Sequence, residues 1–302
     1  MKLPQGIHVL ERGWLSCNNI LLDDTGSATL VDSGYGAHAQ QTLALLDQAL
    51  SGTRLGHLVN THCHSDHIGG NAAIRRCHAC RVSIPEGEAP LIDVWDEAAL
   101  ILSIADQRAE RFDYDATITP GEILRMGGFD WQAIAAPGHD KHALMYWCAD
   151  ERILISGDAL WENGFGVVFP HLFGDERAFE VVRTTLDRIA ALGARIVLPG
   201  HGRPFDTAEA ALERAFTRIE SFRAEPERHA RHALKVMLVF ALLEKRSLPV
   251  ETLPGYLDRV PLYGEIDRRF LRKGSAALAE YLVHDLERAG AVRIERGCLV
   301  PA

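Results

Sequence analysis

An α/β domain followed by a mostly helical one is the fold class that the sequence predicts. Three observations predict it. Through about residue 205, short apolar runs alternate with stretches whose apolar residues recur at helical spacing, the rhythm of an α/β sheet. From residue 206 the pattern turns helical and ends on one short hairpin signal. Several predicted strands also run directly into histidine or aspartate beside glycine, which puts chemistry on one rim of a sheet. The 302 residues suffice for one large α/β domain with a smaller one attached.

The elements follow in order. "IHVL", "NILLDD" and "ATLVDSG" read as strands separated by turn residues. "AHAQQTLALLDQAL" is an amphipathic helix, and "LGHLVNTH" a strand that delivers histidines at its C-terminal end. A short helix at "GGNAAIRR" precedes the strand "RVSIP". Residues 86–112 read as an amphipathic helical insertion, lying either over the site or against the scaffold alone. "GEILRMGGFDWQAIAAPGHD" gives two strands around a Gly-Gly turn. "ALMYWCADERILISGD" is a hairpin turning on Ala149, Asp150 and Glu151. The helix "DERAFEVVRTTLDRIAALG" and the strand "ARIVLPGHG" complete this part. Beyond it come "TAEAALERAFTRIESFRAE", the strongly apolar "HARHALKVMLVFALLEKR", "PVETLPGYLDRV" and "GSAALAEYLVHDLERAG" as helices. "AVRIERGCLVP" is a hairpin turning at Arg296–Gly297. Helices followed by a terminal hairpin resemble a winged helix. The apolar "ALKVMLVFALL" serves either as the core of this small domain or as a homodimer interface.

Composition sets bounds. An apolar fraction of 47% and a charged fraction of 24% are those of a soluble globular chain. No run approaches a membrane span, and the N-terminus lacks the basic and apolar regions of a signal peptide. Six cysteines without framework spacing fit free thiols in a reducing cytoplasm. The net charge is −9, yet residues 220–302 carry 14 Lys and Arg against 12 Asp and Glu, so the acidity belongs to the main body. An acidic body argues against general nucleic-acid binding, an objection the tail does not share. Cys77 and Cys80 form a single C-x-x-C, which without a partner pair reads as two thiols at a helix end.

The chemistry concentrates in "VNTHCHSDHIGGN", where His62, His64, Asp66 and His67 fall within six positions. Unpaired, such a cluster would be costly to bury; a bound cation reverses the sign, because neutral imidazole and ionised carboxylate are divalent-metal ligands. Three further ligand candidates follow predicted strands: His139 in "APGHD", Asp158 in "SGDAL" and His201 in "LPGHG". Cys63, between two of the histidines, points away from them by strand-like alternation.

In order, context and spacing this series resembles the ligand set of the metallo-β-lactamase superfamily, over roughly residues 5 to 205. "TLVDSG", with Asp32, resembles that superfamily's first motif, whose aspartate supports the metal loop from behind. The resemblance implies a four-layer αβ/βα sandwich over residues 1–205 and a helical, winged-helix-like domain over 206–302. It implies two divalent ions, zinc by default, with iron or manganese also accepted by an all-N/O set. His62, His64 and His139 would hold the first ion, Asp66, His67 and His201 the second, and Asp158 would bridge them. A metal-bridged hydroxide would attack the substrate, with Asp66 as the catalytic residue that orients it.

Within the superfamily, "GDALWENGFG" is similar to the run after the bridging aspartate in thioester hydrolases of the glyoxalase II type, through Leu160, Trp161, Gly164 and Gly166. Its glycines would leave room for an acyl group. Asp140, Lys141 and His142 depart from that pattern, and no glutathione signature is evident. His142 either donates a proton in the pocket or packs on the rim. The leading expectation is a hydrolase of a small-molecule thioester or acyl ester. The alternative is a metal-dependent phosphodiesterase or endoribonuclease acting on single-stranded nucleic acid through the C-terminal domain. In it Arg268, Arg269, Arg272 and Lys273 of "RRFLRK" track the backbone, while Phe270 or Tyr281 stacks on bases. The same run would otherwise clamp a charged carrier or form a solvated face. Trp14, Trp161, Phe165, Phe169 and His171 are expected to shape the pocket.

Overall fold

The computed structural model describes residues 1–302. A first sheet holds six strands in sequence order: β1 (Ile7–Leu10), β2 (Asn19–Asp24), β3 (Ser27–Val31), β4 (Arg54–Val59), β5 (Arg81–Pro85) and β6 (Ala116–Ile118). The first three pair antiparallel, and β3 to β6 run parallel. The crossovers carry α1 (Ala39–Leu50), α2 (Ser65–Ile68), α3 (Asn71–His78) and α4 (Ala89–Val94). A second sheet orders β7 (Ile123–Met126), β8 (Phe129–Ala135), β9 (Leu144–Cys148), β10 (Ile153–Gly157) and β11 (Ile196–Pro199), antiparallel except for the parallel β10–β11 pair. After β10 come α5 (Phe169–Leu172) and α6 (Ala178–Leu192), and after β11 comes α7 (Ala208–Ala224).

Side-chain alternation makes these elements into four layers. On β9, Leu144, Tyr146 and Cys148 enter a core shared with Leu22, Val31 and Val59 of the first sheet, while Met145 and Trp147 face α6 and α7. On β4, Val59 faces the other sheet, while Leu58 meets Leu46 of α1 and Ile74 of α3. Strands buried on both faces read as continuous apolar runs, which is why β10 is buried throughout. Each leucine removed from water in these layers contributes about 1.5–3 kcal/mol. By packing, α7 joins the outer layer of the second sheet through Ala211, Ala215 and Ile219.

The remaining helices, α8 (Pro226–Lys245), α9 (Leu253–Arg259), α10 (Pro261–Ile266) and α11 (Ser275–Arg288), share a separate core with Leu234, Leu238 and Leu242 of α8 at its centre. The apolar stripe of α8 is thus covered within the chain. The terminal hairpin forms, turning at left-handed Arg296 and Gly297, and the short β12 (Leu248–Pro249) joins β13 (Val292–Glu295) and β14 (Cys298–Pro301) as a third strand.

Residues 86–112 are less helical than the sequence suggests. Only the six residues of α4 form an α-helix. Left-handed Trp95, Ile101 and Asp106 break the path, so Leu100 and Leu102 enter the core of the first sheet while Ile101 and Ala105 enter the C-terminal core. The segment ties two cores together. Its end reaches the metal loop, where Ser65 Oγ–H donates to Gln107 Oε1 at 2.6 Å.

Candidate metal centre

Parallel strands end on the same edge, and this fold uses that rule five times. Asp32 follows β3, His62 and His64 follow β4, His139 follows β8, Asp158 follows β10 and His201 follows β11. Between β4 and α2 the chain turns so tightly that His64, Asp66 and His67 share the pocket with His62. Every side chain expected to bind metal is brought there. The ligand atoms of His62, His64 and His139 lie within 4.8 Å of one another, as do those of Asp66, His67 and His201. Asp158 sits between the two groups, with Oδ2 at 3.4 Å from His139 Nε2 and Oδ1 at 3.4 Å from His67 Nε2.

Chain acceptors behind the site fix which ring nitrogen faces it. His67 Nδ1–H donates to Asp32 Oδ2 at 2.8 Å, and His139 Nδ1–H donates to the Val167 carbonyl at 2.7 Å. The Thr61 hydroxyl donates to Asp32 Oδ2 at 2.8 Å and accepts from His62 Nδ1–H at 3.1 Å. In His62 and His67 Nε2 then faces inward without a partner in the chain, while His139 Nε2 lies 2.8 Å from His64 Nδ1, inside the same ligand group; acceptors placed behind the rings in this way orient metal-binding histidines. Asp32 itself is anchored by the Thr61 backbone N–H at 2.8 Å and holds a left-handed φ of 59°. Thr61 and the Val167 carbonyl were not singled out in the sequence. Thr61 lies inside the quoted stretch, whereas a backbone carbonyl leaves no sequence signal.

The residues fit a pair of divalent ions. Nε2 of His62 and of His67 is buried with no hydrogen-bond partner in the chain. Burial, and then His67, His64 and His139, hold the His62 imidazole well below the usual range, and burial followed by His139 lowers His64 to about 4. Burial pushes the Asp66 and Asp158 carboxyls up, but the neighbouring His67 and His201 outweigh it and both lie below the ordinary range. Neutral imidazole and ionised carboxylate are the states a metal requires. His67 runs the other way. Burial lowers it, but neighbouring Cys17 and the carboxylates of Asp32, Asp158 and Asp66 prevail and raise it. Packed carboxylates of this kind call for a cation among them. In a third grouping, Cys17 with Asp32 and His67, two of the members are already spent on each other, since His67 Nδ1–H donates to Asp32 Oδ2. Cys63 packs among Ile68 and Ile74, away from the pocket as alternation predicts.

The walls divide the aromatic candidates. Trp14, 58% exposed, stacks on His201 at 5.5 Å between ring centroids, with Trp161 edge-on to both rings. Trp161 Nε1–H also donates to Asp158 Oδ1 at 3.2 Å. Phe169 lies 5.2 Å from His64 and 5.5 Å from His139. Phe165 instead turns inward onto Phe222, and His171 pairs with buried His229 at 3.0 Å. Neither lines the metal pocket, because Phe165 is drawn onto Phe222 and His171 onto His229 and Phe179. His142 is exposed and packs on Gly87 at the rim. Asp140, beside it, lies 3.8 Å from His64 Nε2 and faces buried Glu88, whose carboxyl is pushed well up by burial and then by Asp140.

The glycines after Asp158 have a different purpose from the one expected of them. A Cβ on Gly166 would strike the His139 ring, and one on Gly164 would sit 2.5 Å from the Arg218 guanidinium. They admit two protein side chains rather than an acyl group. Part of the "RRFLRK" run is engaged within the chain: Arg268 and Arg269 share Glu265, Lys273 lies over the Tyr281 ring, and Phe270 packs on His171.

Residues 12–201 match the family description of the metallo-beta-lactamase superfamily. A hydroxyacylglutathione hydrolase of Methylococcus capsulatus (strain Bath) is 27% identical over 220 residues, 68% of this chain and 76% of that one. A metallo-beta-lactamase family protein from Thermus thermophilus superposes with a TM-score of 0.58 at 22% identity over the full length of both chains. The B3 metallo-beta-lactamase BLEG-1 does so at 0.57 and 24% identity, over 68% of this chain and 96% of its own. These two likenesses show the fold.

Proposed function

The chain belongs to the metallo-beta-lactamase superfamily, and we propose that its buried histidine–aspartate centre hydrolyses an acyl thioester with two divalent metal ions bound. The observation that carries this reading is the placement of Asp158, which turns one carboxylate oxygen toward each group of ligands. His62, His64 and His139 would hold one ion, Asp66, His67 and His201 the other, and Asp158 both. Bound divalent ions bring the pKa of water to near 7 and polarise a carbonyl oxygen. The chain supplies the rest. Asp66, whose Oδ2 lies 2.9 Å from His201 Nε2 within the second ligand group, is placed to accept a hydrogen bond from the attacking water and hold it toward the carbonyl carbon. Asp32 and the Val167 carbonyl keep His67 and His139 in the tautomers that leave Nε2 free. Trp14, Trp161 and Phe169 form an apolar wall against which the acyl group lies. A thiolate leaving group, with an ordinary pKa near 8.5, needs no general acid, which agrees with a pocket whose one extra histidine, His142, sits on the rim.

A thioester is favoured over a phosphodiester because Arg268 and Arg269 of the basic run share Glu265, and both rings expected to stack on bases are engaged, Phe270 on His171 and Tyr281 under Lys273. The hydroxyacylglutathione hydrolase relative points the same way. The test sets an acyl thioester beside a single-stranded RNA, each with the metal-loaded protein and with Asp66→Ala. Thioester turnover that falls by roughly 10²-fold or more in the variant is expected. RNA cleavage lost in the variant, without thioester turnover, would overturn the proposal.

A further inference from the structure

A second cavity lies on the far side of the loop that carries Asp158. It is a groove of about 1060 Å³ bounded by α7, α8 and α11, and along it six arginine and lysine side chains meet three carboxylates. In a chain whose net charge is −9, this is a local reversal of sign. Most of these cations are already satisfied: Arg231 pairs with Glu225 and Glu227, and Lys235 with Asp285 at 2.7 Å. Two are not. The guanidinium groups of Arg218 and Arg228 have neither a carboxylate within 4.0 Å nor a side-chain hydrogen bond to the chain. Arg218 is half-buried, and Gly164 is bare where Arg218 lies against it. Arg228's charge acts on Arg218, so two like charges face one space. Holding a partly desolvated cation without a counter-charge costs free energy, which a bound anion returns.

We propose that this groove binds the phosphate groups of the substrate's carrier, a thiol that bears a nucleoside diphosphate. The proposal rests on the thioester reading and names the carrier class within it. A tripeptide carrier offers carboxylates and little bulk, whereas two free guanidinium groups in a cavity of this volume match adjoining phosphates with a base attached. Tyr281 and Phe222 on the groove wall add apolar surface to the charged lining. Reach is provided by the shared loop. Trp161 N–H donates to the Gly164 carbonyl at 2.7 Å, so the turn between them puts Asn163 in the groove while Trp161 touches His201 and Asp158. A carrier with an extended arm crosses one turn of chain to present its thioester to the metal centre. A polyanion tracked along its backbone calls for a continuous basic stripe, whereas this groove interleaves its cations with Glu213, Glu225 and Asp285.

The test is calorimetric titration of adenosine 5′-diphosphate into the full-length protein. This probe has no thiol and no acyl group, so binding depends on neither hydrolysis nor metal ligation. Saturable binding is expected, weakened at least tenfold in Arg228→Glu and in Arg218→Ala and unchanged in Arg177→Ala, whose exposed cation lies outside the groove. Arg228 is exposed, so its variant reports even if Arg218→Ala unfolds. Absence of saturable binding, or binding indifferent to Arg228→Glu, would overturn the proposal. So would single-stranded RNA binding that needs these arginines while the diphosphate does not bind. Failure here leaves thioester hydrolysis standing, and failure of thioester hydrolysis leaves the binding result standing.

Discussion

Replacing Asp32 by asparagine isolates what the carboxylate behind the metal pocket does. Asparagine keeps the size and tolerates the left-handed backbone that Asp32 adopts, so the fold has no reason to move. The charge and one acceptor are lost. At present the two oxygens accept the Thr61 N–H, the Thr61 hydroxyl and His67 Nδ1–H, each at 2.8 Å. If the amide oxygen keeps the Thr61 N–H, the amide NH2 faces two donors. Hydrogen bonds to a charged group contribute about 1.5–3 kcal/mol each, so losing two costs about 3–6 kcal/mol unless His67 changes tautomer. That change would place a proton on Nε2, where a metal ion needs a lone pair. The expected result is metal affinity at the Asp66–His67–His201 group weakened by about 10–100-fold, with the His62–His64–His139 group less affected. Competition with a chelator of known affinity measures this, and 15N NMR of the His67 ring reads the tautomer. An Asp32→Asn protein that binds both ions with unchanged affinity would refute the reasoning.

Other outcomes follow from the same structure. Gly166→Ala drives a methyl group into the His139 ring, with Cγ at 2.7 Å, and should lower metal occupancy while the melting temperature stays near wild type. Trp14→Ala removes the exposed ring over His201 and should raise KM for bulky acyl groups about tenfold, corresponding to about 1.4 kcal/mol, with little effect on acetyl. His57, against Ser83 Oγ at 2.8 Å, is lowered to about 4 by burial and then by Arg81. A depressed histidine gives stability that is complete above about pH 6.5 and lost as pH falls toward 4, worth at most roughly 3 kcal/mol. Urea unfolding at pH 7 and pH 4.5 should therefore show a smaller loss in His57→Gln than in wild type.

Legibility in the sequence tracked how local the cause was. Asp32, His62, His139, Asp158 and His201 were readable because each stands just past a strand's end, with β10 and β11 showing as apolar runs and β8 marked by the Gly-Gly turn before it. The four-layer arrangement followed from the resemblance those ligands carry, and its physical cause, the alternation on β4 and β9, is visible once the partner sheet is known. The three residues of β6 are too short for any period, and residues 86–112 alternate between two cores, which imitates an amphipathic helix until left-handed Trp95 and Ile101 break it. Phe165 and His171 lie close to the ligands in sequence and yet turn inward, since direction within a loop is set by packing on Phe222 and His229. The unpaired state of Arg218 and Arg228 depends on what other helices fail to bring near them, which no local pattern encodes.

The most direct test of the central claim is anomalous diffraction from crystals of the protein loaded with zinc. Two peaks are predicted, one among His62, His64 and His139 and one among Asp66, His67 and His201, with Asp158 touching both. A single peak, or a peak at Cys17, Asp32 and His67, would contradict the two-ion centre.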